Sequence, residues 1–569
     1  MSGREATNVK KQAKEHVKEH VKETECDVLI IGSGIAGSIL GAILAGNGAS
    51  VVLVDGVQHP RFAVGESTIP HYLVRLGMLA ARYGIPEITT LESLNSVDKK
   101  IGSTFGIKRH FAFVSHRPGE EPDPQETILA GVPKALYKAT HIFRQDSDAY
   151  MFHVAIKYGC EPRQNWRVAD LDLGEDAVTV TGQNGERIRA RYLVDASGFR
   201  SPVADKLDLR ENPTRLKTHT RSIFTHMSNM PPFDHMVDWP AEDRPPLRWH
   251  EGTLHHTFDR GFFWIIPFDN HAKSTNPLCS VGLVLDTRVH PKPDDMTPEE
   301  EFYSYVKRFP AVERHFRGAR RVREWVSTGR VQYSSKKTVG HRWCMMAHAA
   351  GFIDPLFSRG MSNTVEVIDA VAWRVLESLK DDDFSEERYE FVERLQQGLL
   401  DYNDDLCNVS LMAFPHFKLW DAIFRVWGFS SNYGAMRLSR AQLQYNLSGD
   451  DQIYKDLEDA PNAGFWWPDN AETKAMWDVM VETVEKFEVG EISADDAADI
   501  VLRQVLESDL PPAAFGYKDP ENHNLHPTTR DLAKFMYWAI RYGPPAAREL
   551  AAGTLQAIGR AALRRKKIA

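Results

Sequence analysis

At 569 residues, with 42% hydrophobic and 26% charged side chains, the chain has the composition of a soluble globular protein with more than one structural unit. A net charge of -9 gives no electrostatic case for nucleic acid, and five scattered cysteines without a C-x-x-C pair suggest neither a zinc or other metal site nor a disulfide framework. Reduced thiols in a cytoplasmic protein are the expectation.

Residues 1–25 contain KKQAKEHVKEHVKET, which lacks the apolar core of a secretory signal and offers too little to bury, so a solvated helix without chemistry is expected. Val28 to Ile31 then form a short buried strand, and Gly32, Gly34 and Gly37 make G-x-G-x-x-G, with a helix opening at Ile35 and Ala36. Val51 to Val54 form a second strand ending at Asp55. That order is a dinucleotide-binding unit. Its glycines allow a tight turn, close approach to a pyrophosphate and close helix packing, while Asp55 can accept from a ribose hydroxyl. A membrane span over residues 28–54 is the rival, but the glycines at 32, 34, 37, 41, 46 and 48 and two separate β-branched clusters fit strand, helix and strand better.

HPRFAVGESTIP (59–70), carrying Arg61, Gly65, Glu66 and Ser67, is in isolation a polar turn. In GIKRHFAF (106–113), strand alternation sets Lys108, His110 and Ala112 against Ile107, Arg109, Phe111 and Phe113, placing Lys108 opposite the aromatic face. A lysine on a strand is ordinarily a solvated edge residue, and Lys100 is a second candidate. HIFRQDSDAYMFHVAIKYGC (141–160) reads as a strand end and an amphipathic helix that includes Arg144. VTVTGQNGERIRARYLVDASG has a hairpin signal at Asn184-Gly185 and a strand ending at Asp195. From Arg221 to Val284 extended segments rich in His, Trp and Phe follow, including GFFWIIPF (261–268). In HRWCMMAHAAGFIDPLFSRGM (341–361) a buried strand leads through a glycine turn into a helix, aiming backbone N–H groups at a ligand. From about residue 371 the pattern is helical. Phe414, Phe417, Trp420, Phe424 and Trp427 lie there at spacings that favour core over pocket, and RRKKIA ends the chain as a solvated basic tail.

Taken together over residues 26–518, these motifs resemble the flavin-dependent halogenases, closest to the phenol or phloroglucinol type. The resemblance implies an α/β (α+β) fold. Its parts are a Rossmann-like FAD-binding domain over 26–370, an inserted substrate-covering sheet at about 205–335, and a helical region over 371–569. It implies that Lys108 is the catalytic lysine, that P-R-x-x-V-G-E-S-T-x-P lies near the flavin ring, and that Arg144 reaches the flavin. Asp195, His348, Asp354, Gly360 and Met361 complete the cofactor set. Ser358, Arg359 and Gly360 hold halide, and Phe111, Phe113, Trp264, Pro267 and Phe357 meet substrate.

Several positions depart from the family pattern. Phe262 replaces the first tryptophan of W-x-W-x-I-P, and Arg359 stands where threonine is common. His348 replaces the aspartate that holds the ribityl chain, implying looser FAD binding. Phe357 replaces the glutamate of tryptophan halogenases, which favours a phenol whose own hydroxyl activates the ring. The implied reactants are FADH2 from a separate NAD(P)H flavin reductase, O2, and chloride or bromide, giving hypohalous acid that the lysine guides to a small phenol, free or carrier-bound. No membrane partner is implied. An aromatic hydroxylase of the same fold and a non-catalytic flavin or aromatic-ligand binding protein are the alternatives.

Overall fold

The computed structural model describes residues 23–132 and 138–568, so most of the expected N-terminal extension lies outside the described residues. The part within it, Glu23 to Glu25, already belongs to the first strand, Glu23–Ile31, and pairs with Arg187 to Arg189.

That strand is the centre of an eight-stranded sheet. Val51–Val54 and Arg187–Asp195 flank it in parallel, followed by Glu161–Arg163 on one side and Trp343–Met345 on the other. Val28, Leu29 and Ile30 are wholly buried because helices and strands cover both faces, which is why the strand reads as an unbroken apolar run. Helix Ile35–Gly46 crosses over it, and the long helix Arg359–Asp381 packs against the same layer. The Val28 to Val54 stretch is therefore strand, helix and strand, and no described helix is long and apolar enough to cross a membrane.

A nine-stranded, mostly antiparallel sheet lies beside it, with Thr220–Ser228, Leu278–Asp286, Gly261–Pro267 and Thr253–Phe258 at its centre. Besides the segment expected at 205–335, it takes in His110–Ser115 and Thr127–Gly131, and Asn524–Leu525 returns from the C-terminal region to pair with Leu129 and Ala130. Alternation along Gly261–Pro267 works as the period demands. Phe262, Trp264 and Ile266 face the aromatic core of the C-terminal helices, while Phe263 and Ile265 pack on the other face with Phe302 and Phe316 of helices Pro298–Val306 and Pro310–Phe316. Helices Glu390–Ala413 and Phe417–Ser448 then close over the first of these faces.

Candidate active site

The dinucleotide turn has the geometry its glycines were expected to permit. Gly32 sits at φ +100, and a Cβ there would lie 2.5 Å from the Ala196 carbonyl oxygen. A Cβ on Gly37 would lie 1.9 Å from the Gly32 oxygen, so helix and turn touch through backbone alone. Gly34 starts the helix without any side-chain cap, leaving the first-turn amides of Ile35, Ala36 and Gly37 to an outside acceptor. Asp55 steadies this mouth. Its carboxylate accepts from the Ser33 amide and hydroxyl, both at 2.8 Å, from the Val57 amide at 3.0 Å, and from Arg61 at 3.3 Å.

Other expected cofactor residues prove to be tied to the protein. Arg144 pairs with Asp148 at 2.8 Å and donates to the Val64 and Gly65 carbonyls, pinning the turn in which Gly65 has φ +93. Glu66 is buried against the His226 imidazole at 2.7 Å, and that ring in turn packs on Phe62, Phe143 and Phe268. Asp195, fully buried, accepts from the Ser197 and Val203 amides and the Ser197 and Ser201 hydroxyls; it organises its own turn. Asp354 accepts from Thr220 at 2.6 Å and from the Leu356 amide at 3.0 Å, and burial pushes its carboxyl up to about 7. Ser358 precedes helix Arg359–Asp381 at φ +53, and Met361 is buried in its first turn. The Arg359 guanidinium lies 3.8 Å over the Trp466 ring and donates to the Gly464 carbonyl.

His348 differs from these. Its Nε2 is buried with no hydrogen-bond partner, at the start of the same helix, where a Cβ on Gly360 would lie 3.0 Å from it. Burial, with the positive charge of Arg144 adding, lowers its pKa to about 4, so the ring is neutral and has one position to offer a ligand.

Lys108 is 7% exposed. The expected alternation fails here for a backbone reason. Gly106–Ile107 pairs with Thr140–His141, whereas His110–Ser115 pairs with Thr253–Phe258, and the chain changes partner across Lys108 and Arg109. The period is broken between the two strands, and the ammonium nitrogen lies 4.8 Å from the Phe111 ring centroid, beside the aromatic face and not opposite it. Its nitrogen donates to Ser67 Oγ at 2.7 Å, and no carboxylate pairs with it among the described residues. Desolvation alone lowers its pKa from 10.5 to about 7.

A cavity of about 90 Å³ opens at Lys108, lined also by His71, His110, Phe111, Trp427, Asn432 and Tyr517. It shares Pro70, Gly131, Val132, Ala139, Asn432 and Ala435 with a larger apolar cavity of about 280 Å³. Of the residues expected to meet substrate, Phe111 is on the wall. Phe357 packs behind it on Trp427, and Phe113 on Trp420 and Phe424. Trp264 lies farther along the sheet against Phe224, and Pro267 gives its carbonyl to His141. Of the helical aromatics, Trp427 reaches the cavity while Phe414, Trp420 and Phe424 are core. His71, Asn432 and Tyr517 were missed. For His71 the available signal was Pro70, a helix-opening proline, which sets His71 in the first turn of helix Pro70–Tyr83.

A family model described as an FAD binding domain matches residues 25–300. The chain is 51% identical over 540 residues to tetracycline 7-halogenase of Kitasatospora aureofaciens, covering 95% of this chain and 97% of that one. It is 43% identical over 526 residues to monodechloroaminopyrrolnitrin halogenase PrnC of Pseudomonas fluorescens, covering 91% and 92%. The chain belongs to the flavin-dependent halogenases. Among solved structures, halogenase PltM in complex with phloroglucinol and FAD superposes on this halogenase with a TM-score of 0.85 at 34% identity, covering 88% of this chain and 99% of that one.

Like its relatives, this halogenase uses FAD, O2 and halide. The residues present fit FAD: the uncapped helix mouth can take a pyrophosphate, and the unpartnered Nε2 of His348 awaits a hydroxyl. Reduced FAD, when bound, supplies with O2 the oxidant that turns halide into an electrophilic halogen.

Proposed function

We propose that this halogenase chlorinates or brominates an electron-rich phenol, with hypohalous acid directed by Lys108. The observation that carries this reading is the position of Lys108. It is a buried, carboxylate-free amine on the wall of an aromatic cavity, where one nitrogen can hold the electrophile a few ångströms from a bound ring. Two polar groups near that ring's place have no partner: both nitrogens of His71 and Nε1 of Trp427. Burial, with Arg359 and Arg75 adding, keeps His71 well below the ordinary histidine range, so this lining residue is a neutral donor and acceptor of the kind a phenolic hydroxyl can pair with. The phloroglucinol bound by PltM is such a phenol. A separate NAD(P)H flavin reductase completes the system.

The test is mass spectrometry of products formed with FAD, a flavin reductase, NADH and chloride or bromide over a panel of small phenols. A halogen isotope pattern is expected. A gain of one oxygen would instead make the chain a hydroxylase.

Two further results are expected. The lysine amine is the form able to take the halogen of hypohalous acid as a haloamine, the nitrogen–halogen bond forming as the halogen–oxygen bond breaks and water leaves, and it replaces the ammonium as pH rises through about 7. Halogenated product per FADH2 consumed therefore increases about tenfold between about pH 6 and about pH 8; a flat or falling profile would assign the work to the ammonium. Replacing His348 by alanine removes one hydrogen bond to the cofactor and weakens FAD binding about five- to tenfold, corresponding to about 1 kcal/mol. Quenching of flavin fluorescence during titration checks this.

A further inference from the structure

Lys108 is joined to a line of buried polar groups drawn from four separate segments. Its nitrogen donates to Ser67 Oγ at 2.7 Å; Ser67 Oγ lies 2.7 Å from Thr253 Oγ1; Thr253 Oγ1 lies 3.0 Å from His141 Nε2; and His141 Nδ1 lies 2.7 Å from the Pro267 carbonyl oxygen. Neither hydroxyl nor ring declares its direction alone, but the end of the line does. A carbonyl only accepts, so Nδ1 carries the proton and Nε2 is an acceptor. Thr253 must then donate to His141 and accept from Ser67, which leaves Ser67 with only lone pairs for Lys108.

We propose that Ser67, Thr253 and His141 form a one-way hydrogen-bonded line that sets how Lys108 presents its nitrogen to the cavity, making Thr253 and His141 positioning residues for halogenation. This rests on the reading of Lys108 given above. One N–H is always held on Ser67, so the remaining hydrogens, or in the amine the lone pair, are turned away from it, with the Phe111 ring bounding the other side. The line is not a proton conduit. It stops at a carbonyl that takes no proton, and His141 stays neutral, its pKa lowered to about 3 by burial first and then by the charge on Lys108.

The fold explains why the line holds still. Ser67 and His141 are bridge partners, His141 pairs with Gly106 beside Lys108, and Thr253 pairs with Phe111. Thr253 is 1% exposed and His141 is fully buried, so water does not replace either. An ångström of drift at a reacting atom can cost about a hundredfold in rate.

Thr253→Val removes the donor while keeping the shape, and Thr253→Ser restores it. Both are compared with wild type as full-length protein, with FAD, reductase, halide and the panel phenol that wild type halogenates best. Product per FADH2 consumed and free hypohalous acid caught by monochlorodimedone are read together. Thr253→Val is expected to lose at least tenfold in coupled product, with oxidant escaping to the trap in its place, and Thr253→Ser to recover to within about threefold of wild type. A merely structural threonine would lower both readouts together. His141→Phe, which cuts the line at a different segment, is expected to repeat the loss and serves if Thr253→Val does not fold. Wild-type coupling in Thr253→Val, or no recovery in a folded Thr253→Ser, overturns the proposal. Product persisting in Lys108→Met would sink the reading beneath it. Product lost in Lys108→Met but kept in Thr253→Val would remove the line alone.

Discussion

Lys108→Met is expected to lower halogenated product at least about 100-fold while FADH2 continues to be consumed, because the electrophile loses the one nitrogen that holds it beside the ring. The same change should not lower the melting temperature. Methionine matches the lysine stem in length and fills the space among Phe111, His71 and Trp427 without a desolvated amine. The sign of the pH dependence separates this from simple damage. The unfolded lysine keeps its proton up to about 10.5, whereas the folded one releases it above about 7. The unfolded state thus binds more protons between those values, and wild-type stability contributed by this group rises with pH across that window. The burial penalty is largest below pH 7, so the advantage of Lys108→Met in melting temperature is largest there and shrinks as the pH is raised. A variant that melts lower than wild type at about pH 6, or that keeps its product, contradicts this account of the site.

Gly37→Ala is expected to abolish FAD binding and to cost several degrees of melting temperature. The added methyl would sit 1.9 Å from the Gly32 oxygen and 3.0 Å from Ile30 Cγ2. The first obstacle is backbone of the phosphate turn, so it cannot swing aside as a side chain would; either the helix lifts from the strand or the turn deforms. A loss above about 3 kcal/mol follows, as for other overpacked backbone contacts. Gly48→Ala is the control. Gly48 has φ +96 but nothing within 4 Å of its would-be Cβ, so that change costs only the backbone strain of about 1–2 kcal/mol and leaves FAD binding intact. Thermal melts with and without FAD distinguish the two; equal effects would mean that space around Gly37 is not the controlling factor.

The parts of the molecule legible in the amino-acid order are those built by neighbours in sequence. G-x-G-x-x-G at residues 32–37 is bracketed by its own strand and helix, and turn, helix start and close packing are all short-range matters of sterics. Gly261–Pro267 likewise reads as a buried strand from its own unbroken apolar run. Lys108 was legible only through its surrounding motif; its orientation was not, because the strand changes partner beside it.

Which carboxylates and cations face the site was out of reach for the same reason. Glu66 is hydrogen-bonded to a histidine 160 residues away, Asp354 is held by a threonine 134 away, and Arg359 turns to Gly464. A charged side chain in a motif offers itself equally to a cofactor and to the protein, and burial forces it to take whichever partner the fold brings within about 3 Å. Local order thus pointed to the nucleotide cradle and, through the motif around it, to Lys108. The direction of that lysine, its lowered pKa and the cavity formed with His71, Trp427 and Tyr517 came from packing between distant segments, since desolvation and hydrogen-bond direction are set by what surrounds a group in space.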